Sequence, residues 1–214
     1  MNAPVPEDPF APQAFYARAA VRLLPRPPVG ADLRSGDRLL NPDYVPPAGI
    51  RYADAAVLVP IVARQPQASV ILTQRTLALK SHSGQIAFPG GKVAPADAGP
   101  AAAAIREAEE EIGLEPAAVA PIGYLDAYLT HTGFRVVPVV ARIARDHRLN
   151  PNRAEVEAVF EVPLAFLMTP ENHRIASREL RGVMRHFYEM PFEDRYIWGV
   201  TAGIIHALYE RVFR

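Results

Sequence analysis

Residues 71–114 read ILTQRTLALKSHSGQIAFPGGKVAPADAGPAAAAIREAEEEIGL, and the run Arg106-Glu107-Ala108-Glu109-Glu110-Glu111-Ile112-Gly113 near its end decides how the rest is taken. Pro100 suits a first helical position, where its missing N–H is no loss. Ala101 to Ala104 are strong helix formers, and Gly113 followed by Pro116 is a stop signal, so a helix is predicted over 100–112. Ala101, Ala104, Ile105, Ala108 and Ile112 recur at helical spacing and form its expected buried stripe. Glu107, Glu110 and Glu111 are three and four apart and share another face. Like charges at that spacing repel, and the C-terminal end of a helix disfavours anions. Arg106, four before Glu110, compensates in part. Two readings are open on these residues alone: a solvated acidic face, or a set of oxygens gathered for a hard dication such as Mg²⁺.

Upstream stands Phe88-Pro89-Gly90-Gly91, where paired glycines allow a sharp bend or close backbone approach. Together the two parts resemble the Nudix box, G-x5-E-x7-R-E-U-x-E-E-x-G-U with U aliphatic. Arg106, Glu107, Ala108, Glu110, Glu111, Gly113 and Leu114 match its second half, with Ala108 accepted as U. The first half departs: Gly91 lies fifteen residues before Arg106, one more than the pattern, and Ala98 stands at the early Glu, with Asp97 beside it. A second pattern spans the departure. Ile71, Leu72, Thr73, Arg75, Thr76, Lys80, Gly84, Phe88, Pro89, Gly90 and Gly91 resemble L-L-T-x-R-S-x3-R-x3-G-x3-F-P-G-G of the Nudix enzymes that cleave coenzyme A. Ile71, Thr76 and Lys80 are its mismatches. In that branch the longer spacing, with an Asp for the early Glu, is usual.

The resemblance implies an α+β fold, the Nudix α/β/α sandwich around a mixed β-sheet, over about residues 50–210. It implies Mg²⁺- or Mn²⁺-dependent hydrolysis of the diphosphate of coenzyme A or a derivative, giving 4′-phosphopantetheine and adenosine 3′,5′-bisphosphate. The alternatives are a hydrolase of another nucleoside diphosphate linked to X and a Nudix-fold binding module without turnover. Glu107 and Glu111 are the first expected metal ligands, with Glu110 as ligand or general base and the Gly91 carbonyl as a further ligand. Arg106 is expected to orient Glu110, and Glu109 to be solvated. Arg75, Lys80, His82, Gly90 and Thr132 are expected on the substrate side. Glu155 and Glu157 fall where some Nudix enzymes supply another carboxylate. Trp198-Gly199 with Thr201-Ala202 resembles the branch's C-terminal stretch, with Trp198 expected in core or interface. A homodimer is a further implication.

Around this centre, 214 residues suggest one domain with elaborations. Lys plus Arg and Asp plus Glu both number 23, so no overall field favours nucleic acid. There are no cysteines, which excludes disulfides and thiolate metal sites. No apolar run approaches the ~18 residues of a membrane span, and the N-terminus has no basic-then-apolar leader, so a cytoplasmic protein is expected. Ten of 22 prolines fall in residues 1–50, so 1–49 is read as a Pro-rich arm with a short helix over 15–24, ahead of a Nudix domain over 50–214. The arm is a loosely packed extension, or a piece of a dimer interface or lid. Strands are predicted over 55–63, 69–73, 86–88, 122–129, 134–143, 157–162, 183–190 and 195–198, and further helices over 163–167 and 199–212.

Overall fold

Strand β1, Ala53–Val62, is apolar along most of its length and buried on both sides, as a central strand must be. The computed structural model describes residues 8–30, 36–44, 49–78, 82–180 and 182–214, with the side chains of Asp37 and Leu180 excepted. β1 runs parallel to β7 (Phe134–Ile143) over its whole length. Every other pairing is antiparallel, which makes the eight-stranded sheet mixed. β2 (Ser69–Arg75) returns beside β1 at Ile61–Val70 and Val62–Ser69, the expected hairpin. The two strands then part. Into the gap come β3 (Ile86–Ala87), paired to β2, and β4 (Gly90–Lys92), paired to β1. That split delivers Gly90 and Gly91 to the centre of the sheet instead of its rim.

Helix α2 spans Pro100–Ile112, the bounds predicted from Pro100 and Gly113. Gly113 takes the left-handed conformation, φ +65°, and its N–H closes on the Glu109 carbonyl. The buried stripe differs from expectation. Ala101 and Ile105 are half-exposed, while Ala103, Ala104, Ala108, Glu111 and Ile112 are buried. The helix is rotated because Glu111 has partners on the sheet, described below.

Beyond α2 come β5 (Val119–Tyr124) and β6 (Tyr128–Leu129), both antiparallel to β7, and then β8 (Val156–Pro163) on β2. After the short α3 (Leu164–Leu167), strands β9 (Arg174–Leu180), β10 (Val183–Phe192) and β11 (Arg195–Trp198) form a separate antiparallel sheet. The last helix, α4 (Gly199–Phe213), turns Ile204, Ile205, Leu208 and Val212 inward as its pattern requires. β9 was not anticipated: RIASREL is mostly polar, and all of it but half-buried Ala176 lies exposed among its described side chains.

One core lies between the sheet and α4. Its members include Val59, Ile61, Leu72, Ile204, Ile205 and Leu208. The first helix, α1 (Pro12–Arg22), joins that same core through Phe15 and Ala19, both fully buried, with Leu23 just beyond it. The smaller core on the opposite face holds Leu58, Val62 and Ile71 against Ala103, Ala104, Ala108 and Ile112 of α2. The result is a mixed sheet with helices on both faces.

Candidate active site

Glu111 is the buried centre of the acidic run, 4% exposed. One carboxylate oxygen, Oε2, accepts the Gly90 N–H at 3.1 Å, and the other, Oε1, faces Arg75 Nη1 at 3.3 Å. Burial pushes this carboxyl up to about 7; the Gly90 N–H and Arg75 act against the rise, and Glu107 and Glu155 add to it. Glu107 lies one turn earlier on α2. Its carboxylate rests on the Gly91 backbone so closely that a Cβ built at Gly91 would fall 2.4 Å from Glu107 Cδ. Gly90 is equally confined, by the Ala56 carbonyl at 2.4 Å and Val57 Cα at 2.7 Å from such a Cβ. A side chain at Gly90 would meet the sheet backbone, and one at Gly91 would displace the Glu107 carboxylate.

Arg106 organises the outer part. Its Nε and Nη2 both reach Asp97, each at 3.0 Å, in a two-pronged pair. Nη1 donates to Glu107 Oε1 at 2.9 Å and to Glu110 Oε2 at 3.1 Å, and Nη2 also meets the Lys92 carbonyl at 3.1 Å. Arg106 holds the Asp97 carboxyl below the usual carboxylate range, with the Ala94 N–H helping. Asp97 thus anchors Arg106 and the loop before α2. The Glu110 side chain is 57% exposed and sits outside the Glu107–Glu111 pair. Glu109 is exposed, as expected.

The substrate-side candidates separate. Arg75 and Gly90 are at Glu111. His82 is exposed, in a left-handed turn with φ +56°, its Nδ1 2.8 Å from Gln85 Oε1. Lys80 lies outside the described residues. Thr132 sits in the turn before β7, its hydroxyl 2.9 Å from that of Thr130. Of the two later acids, Glu155 is half-buried and close enough to act on Glu111, whereas Glu157 is exposed. Strand alternation about buried Val156 would put Glu155 and Glu157 on one face, so the local sequence does not separate them; the pairing of Arg75 with Val156, at the start of β8, is what brings Glu155 near the site.

The donor set fits a hard divalent cation. Glu107 and Glu111 offer carboxylate oxygens beside the Gly91 main chain, and burial disfavours the charge on Glu111 in a way that Arg75 offsets only in part and a cation would offset further. Among the described residues, no three His, Cys, Asp or Glu side chains converge as a ready-made metal cage. Glu110 is turned to Arg106, so a third oxygen has to come from main chain, water or substrate.

The chain matches the NUDIX domain over residues 52–184. It is similar to the Escherichia coli (strain K12) protein described as uncharacterized Nudix hydrolase NudL, 42% identical over 177 residues, covering 83% of this chain and 91% of that protein. The Shigella boydii NudL shows the same figures. Among solved structures, a MutT/nudix family protein from Enterococcus faecalis aligns with 16% identity and TM-score 0.49, over 81% of this chain and 66% of that one. A Nudix hydrolase from M. smegmatis, RenU, aligns with 24% identity and TM-score 0.46, over 54% and 72%. By the extent of the domain match and the identity to its curated relatives, the chain belongs to the Nudix hydrolases, enzymes of nucleoside diphosphates linked to a further moiety.

Proposed function

We propose that the protein is a coenzyme A diphosphatase, hydrolysing the diphosphate bond of coenzyme A or an acyl derivative to 4′-phosphopantetheine, or its acyl form, and adenosine 3′,5′-bisphosphate. One observation carries the reading. The two sequence patterns meet on a single carboxylate: Arg75 and Gly90, both from the upstream coenzyme A-type pattern, bind the two oxygens of Glu111 from the Nudix helix. A general nucleoside-diphosphate hydrolase has no need of the Arg75–Gly84 part of that arrangement.

In this reading Glu107, Glu111 and the Gly91 carbonyl hold Mg²⁺ or Mn²⁺. When bound, the cation supplies neutralisation of phosphate oxygens and a more acidic water. The protein's own groups do the rest. Glu110 takes the proton of the attacking water, whose oxygen bonds to phosphorus as the bridging P–O bond breaks. Arg106 is a positioning residue: anchored on Asp97, it fixes Glu107 and Glu110 relative to each other. Arg75, at Glu111, would supply positive charge to the diphosphate oxygens, and the Gly90–Gly91 backbone would let them approach without side-chain obstruction.

The test is incubation of coenzyme A with the pure protein and Mg²⁺ or Mn²⁺, followed by chromatography for adenosine 3′,5′-bisphosphate. Formation of that product is the expected result. Cleavage of a nucleoside diphosphate sugar without any bisphosphate from coenzyme A assigns the general hydrolase instead. No turnover of either, with nucleotide bound, assigns a binding module.

A further inference from the structure

Two guanidinium groups face the carboxylates of α2, and they are bonded very differently. Arg106 uses all three nitrogens, on Asp97, Glu107, Glu110 and the Lys92 carbonyl, at 2.9–3.1 Å. Arg75 reaches Glu111 through Nη1 at 3.3 Å, where charge-assisted N–H···O bonds run about 2.7–2.9 Å. Its Nε is buried and meets no acceptor among the described residues. A buried guanidinium N–H without an acceptor is costly. The place of Arg75 on Glu111 is therefore an under-bonded one.

The backbone of Arg75 is pinned. Its N–H donates to the Gln85 carbonyl at 2.9 Å, and its carbonyl accepts the Gly84 N–H at 3.1 Å. Gly84 holds that turn at φ +70°, a conformation that favours glycine. Beyond it, the Thr76 N–H donates to the Glu155 carbonyl at 2.9 Å. Arg75 and Gly84 of the upstream pattern thus form one unit, in which the glycine turn fixes the point from which the guanidinium swings. The side chain, 24% exposed, keeps room to turn. Across from it, Glu111 Oε2 is taken by the Gly90 N–H, so Oε1 is the oxygen left for a cation. Arg75 faces that same oxygen. Two positive groups at one carboxylate oxygen repel each other strongly at such separations.

We infer that Arg75 is a displaceable counter-ion: it competes with a divalent cation for Glu111 Oε1 and, once displaced, turns its fork to the diphosphate of the substrate. On Glu111 it offsets buried negative charge. On a phosphate its planar fork, Nε included, gains the acceptors it lacks. One side chain therefore works against the cation and for the diphosphate, which couples the two ligands. The inference rests on reading Glu111 as a metal ligand and deepens it by giving the order of events: cation first, then Arg75 on the substrate.

The experiment is calorimetric titration of the full chain with Mn²⁺, and, in excess Mn²⁺, with α,β-methylene adenosine 5′-diphosphate, whose bridge cannot be hydrolysed. Arg75→Gln should bind Mn²⁺ about tenfold tighter than the wild type and the diphosphate analogue about tenfold weaker. The opposite signs are the signature, because a residue that only supports the fold weakens both. Arg75→Met is the second neutral variant if Gln disturbs folding. Arg75→Lys keeps the charge and loses the fork, so it should hold Mn²⁺ within about twofold of the wild type and still lose analogue affinity. Mn²⁺ affinity that is unchanged or weaker in the neutral variants overturns the proposal, and so does analogue affinity that survives in them. Glu111→Gln separates the two levels. Mn²⁺ binding unmoved by Glu111→Gln removes the metal-ligand reading and the competition with it. Mn²⁺ binding weakened there, but not tightened by loss of Arg75, leaves that reading standing and removes only the counter-ion role.

Discussion

On the α2 face of the sheet, Glu111 is buried among alanines, with Glu107 and Glu155 adding negative charge and Arg75 answering it in part. On the α4 face, His173 and His206 are half-buried among aromatic rings. Their Nδ1 atoms are 2.9 Å apart, and the Tyr188 ring stacks on His206 at 4.1 Å. Both faces bury titratable groups, and burial acts against charge on each. On the α2 side guanidinium and backbone N–H groups oppose that tendency without overcoming it, and a bound cation would complete what they begin. On the α4 side burial likewise prevails, against the Leu167 carbonyl, Glu210 and Glu171 at His173 and against Glu210 at His206, and the imidazoles are held toward the neutral form. The faces differ in the sign of the buried group: the carboxyls of the α2 side gain from a bound cation, whereas the imidazoles of the α4 side, kept toward neutrality, have each other and the aromatic rings.

The sharpest way to break that contrast is to remove one group from each face. Glu111→Gln keeps the shape and removes the charge. Turnover should fall by roughly two to three orders of magnitude, the scale of losing one central electrostatic group. The thermal midpoint should hold or rise, because a poorly compensated buried carboxyl is gone. His206→Phe should leave turnover within about twofold. Steady-state rates beside thermal melts decide the matter: equal loss of rate in both variants, or a collapse in stability for Glu111→Gln, removes the distinction.

Arg106→Lys tests the outer part of the α2 site. One ammonium cannot reproduce the fork on Asp97 together with bonds to Glu107, Glu110 and the Lys92 carbonyl. A loss of about 10–100-fold in kcat is expected, with weaker metal dependence. Unchanged kcat would show that the orientation of Glu107 and Glu110 does not matter.

The adjacent glycines provide a finer test, since they fail for different reasons. A Cβ at Gly91 meets only the tip of a flexible side chain, Glu107, so Gly91→Ala should fold with a loss under about 1 kcal/mol yet lose about tenfold in rate. A Cβ at Gly90 meets the Ala56 carbonyl and Val57 backbone, so Gly90→Ala should cost about 1–3 kcal/mol of stability. Urea unfolding alongside rate measurements separates the two, and the same stability loss in both variants would refute the explanation.

The contrast between the faces also marks what could be read from sequence. α2 was legible to the residue because Pro100 and Gly113 are local signals, and its acidic run stood out because it violates local electrostatics. The burial of Glu111 was not legible, since its partners Arg75 and Gly90 lie 36 and 21 residues away. The buried stripe was misplaced by the same cause: apolar spacing ranked Ile105 inward, while long-range pairing turned Glu111 inward instead. β9 carries little apolar signal because it is an exposed edge strand; its sheet contributes to the main core through Met190 of β10 and Ile197 of β11.

The smallest expected effect concerns pH and the α4 face. His173 Nε2 is 2.7 Å from the Leu167 carbonyl, so it must donate there, which leaves Nδ1 as an acceptor in the neutral ring. His206 Nδ1 is then the donor across the 2.9 Å contact. Protonating His173 would oppose two N–H groups at that distance. Burial lowers both imidazoles first; for His173 the Leu167 carbonyl and the acids Glu210 and Glu171 act the other way, and for His206 the neighbouring imidazole and Arg214 add to the lowering while Glu210 resists it. The folded protein therefore binds fewer protons than the unfolded chain just below the ordinary imidazole value near 6.5. Stability from this pair is complete above that value and is lost as pH falls through the lowered folded values. The Glu111→Gln background is the one to use, since the Glu111 carboxyl cannot titrate in it. There the thermal midpoint should drop a few degrees between pH 7.5 and 5.5, and adding His206→Phe should reduce the drop by about half, at ~2–4 °C per kcal/mol for a chain of this size. A midpoint that is flat, or that rises on acidification, would mean these imidazoles accept protons as readily in the fold as outside it.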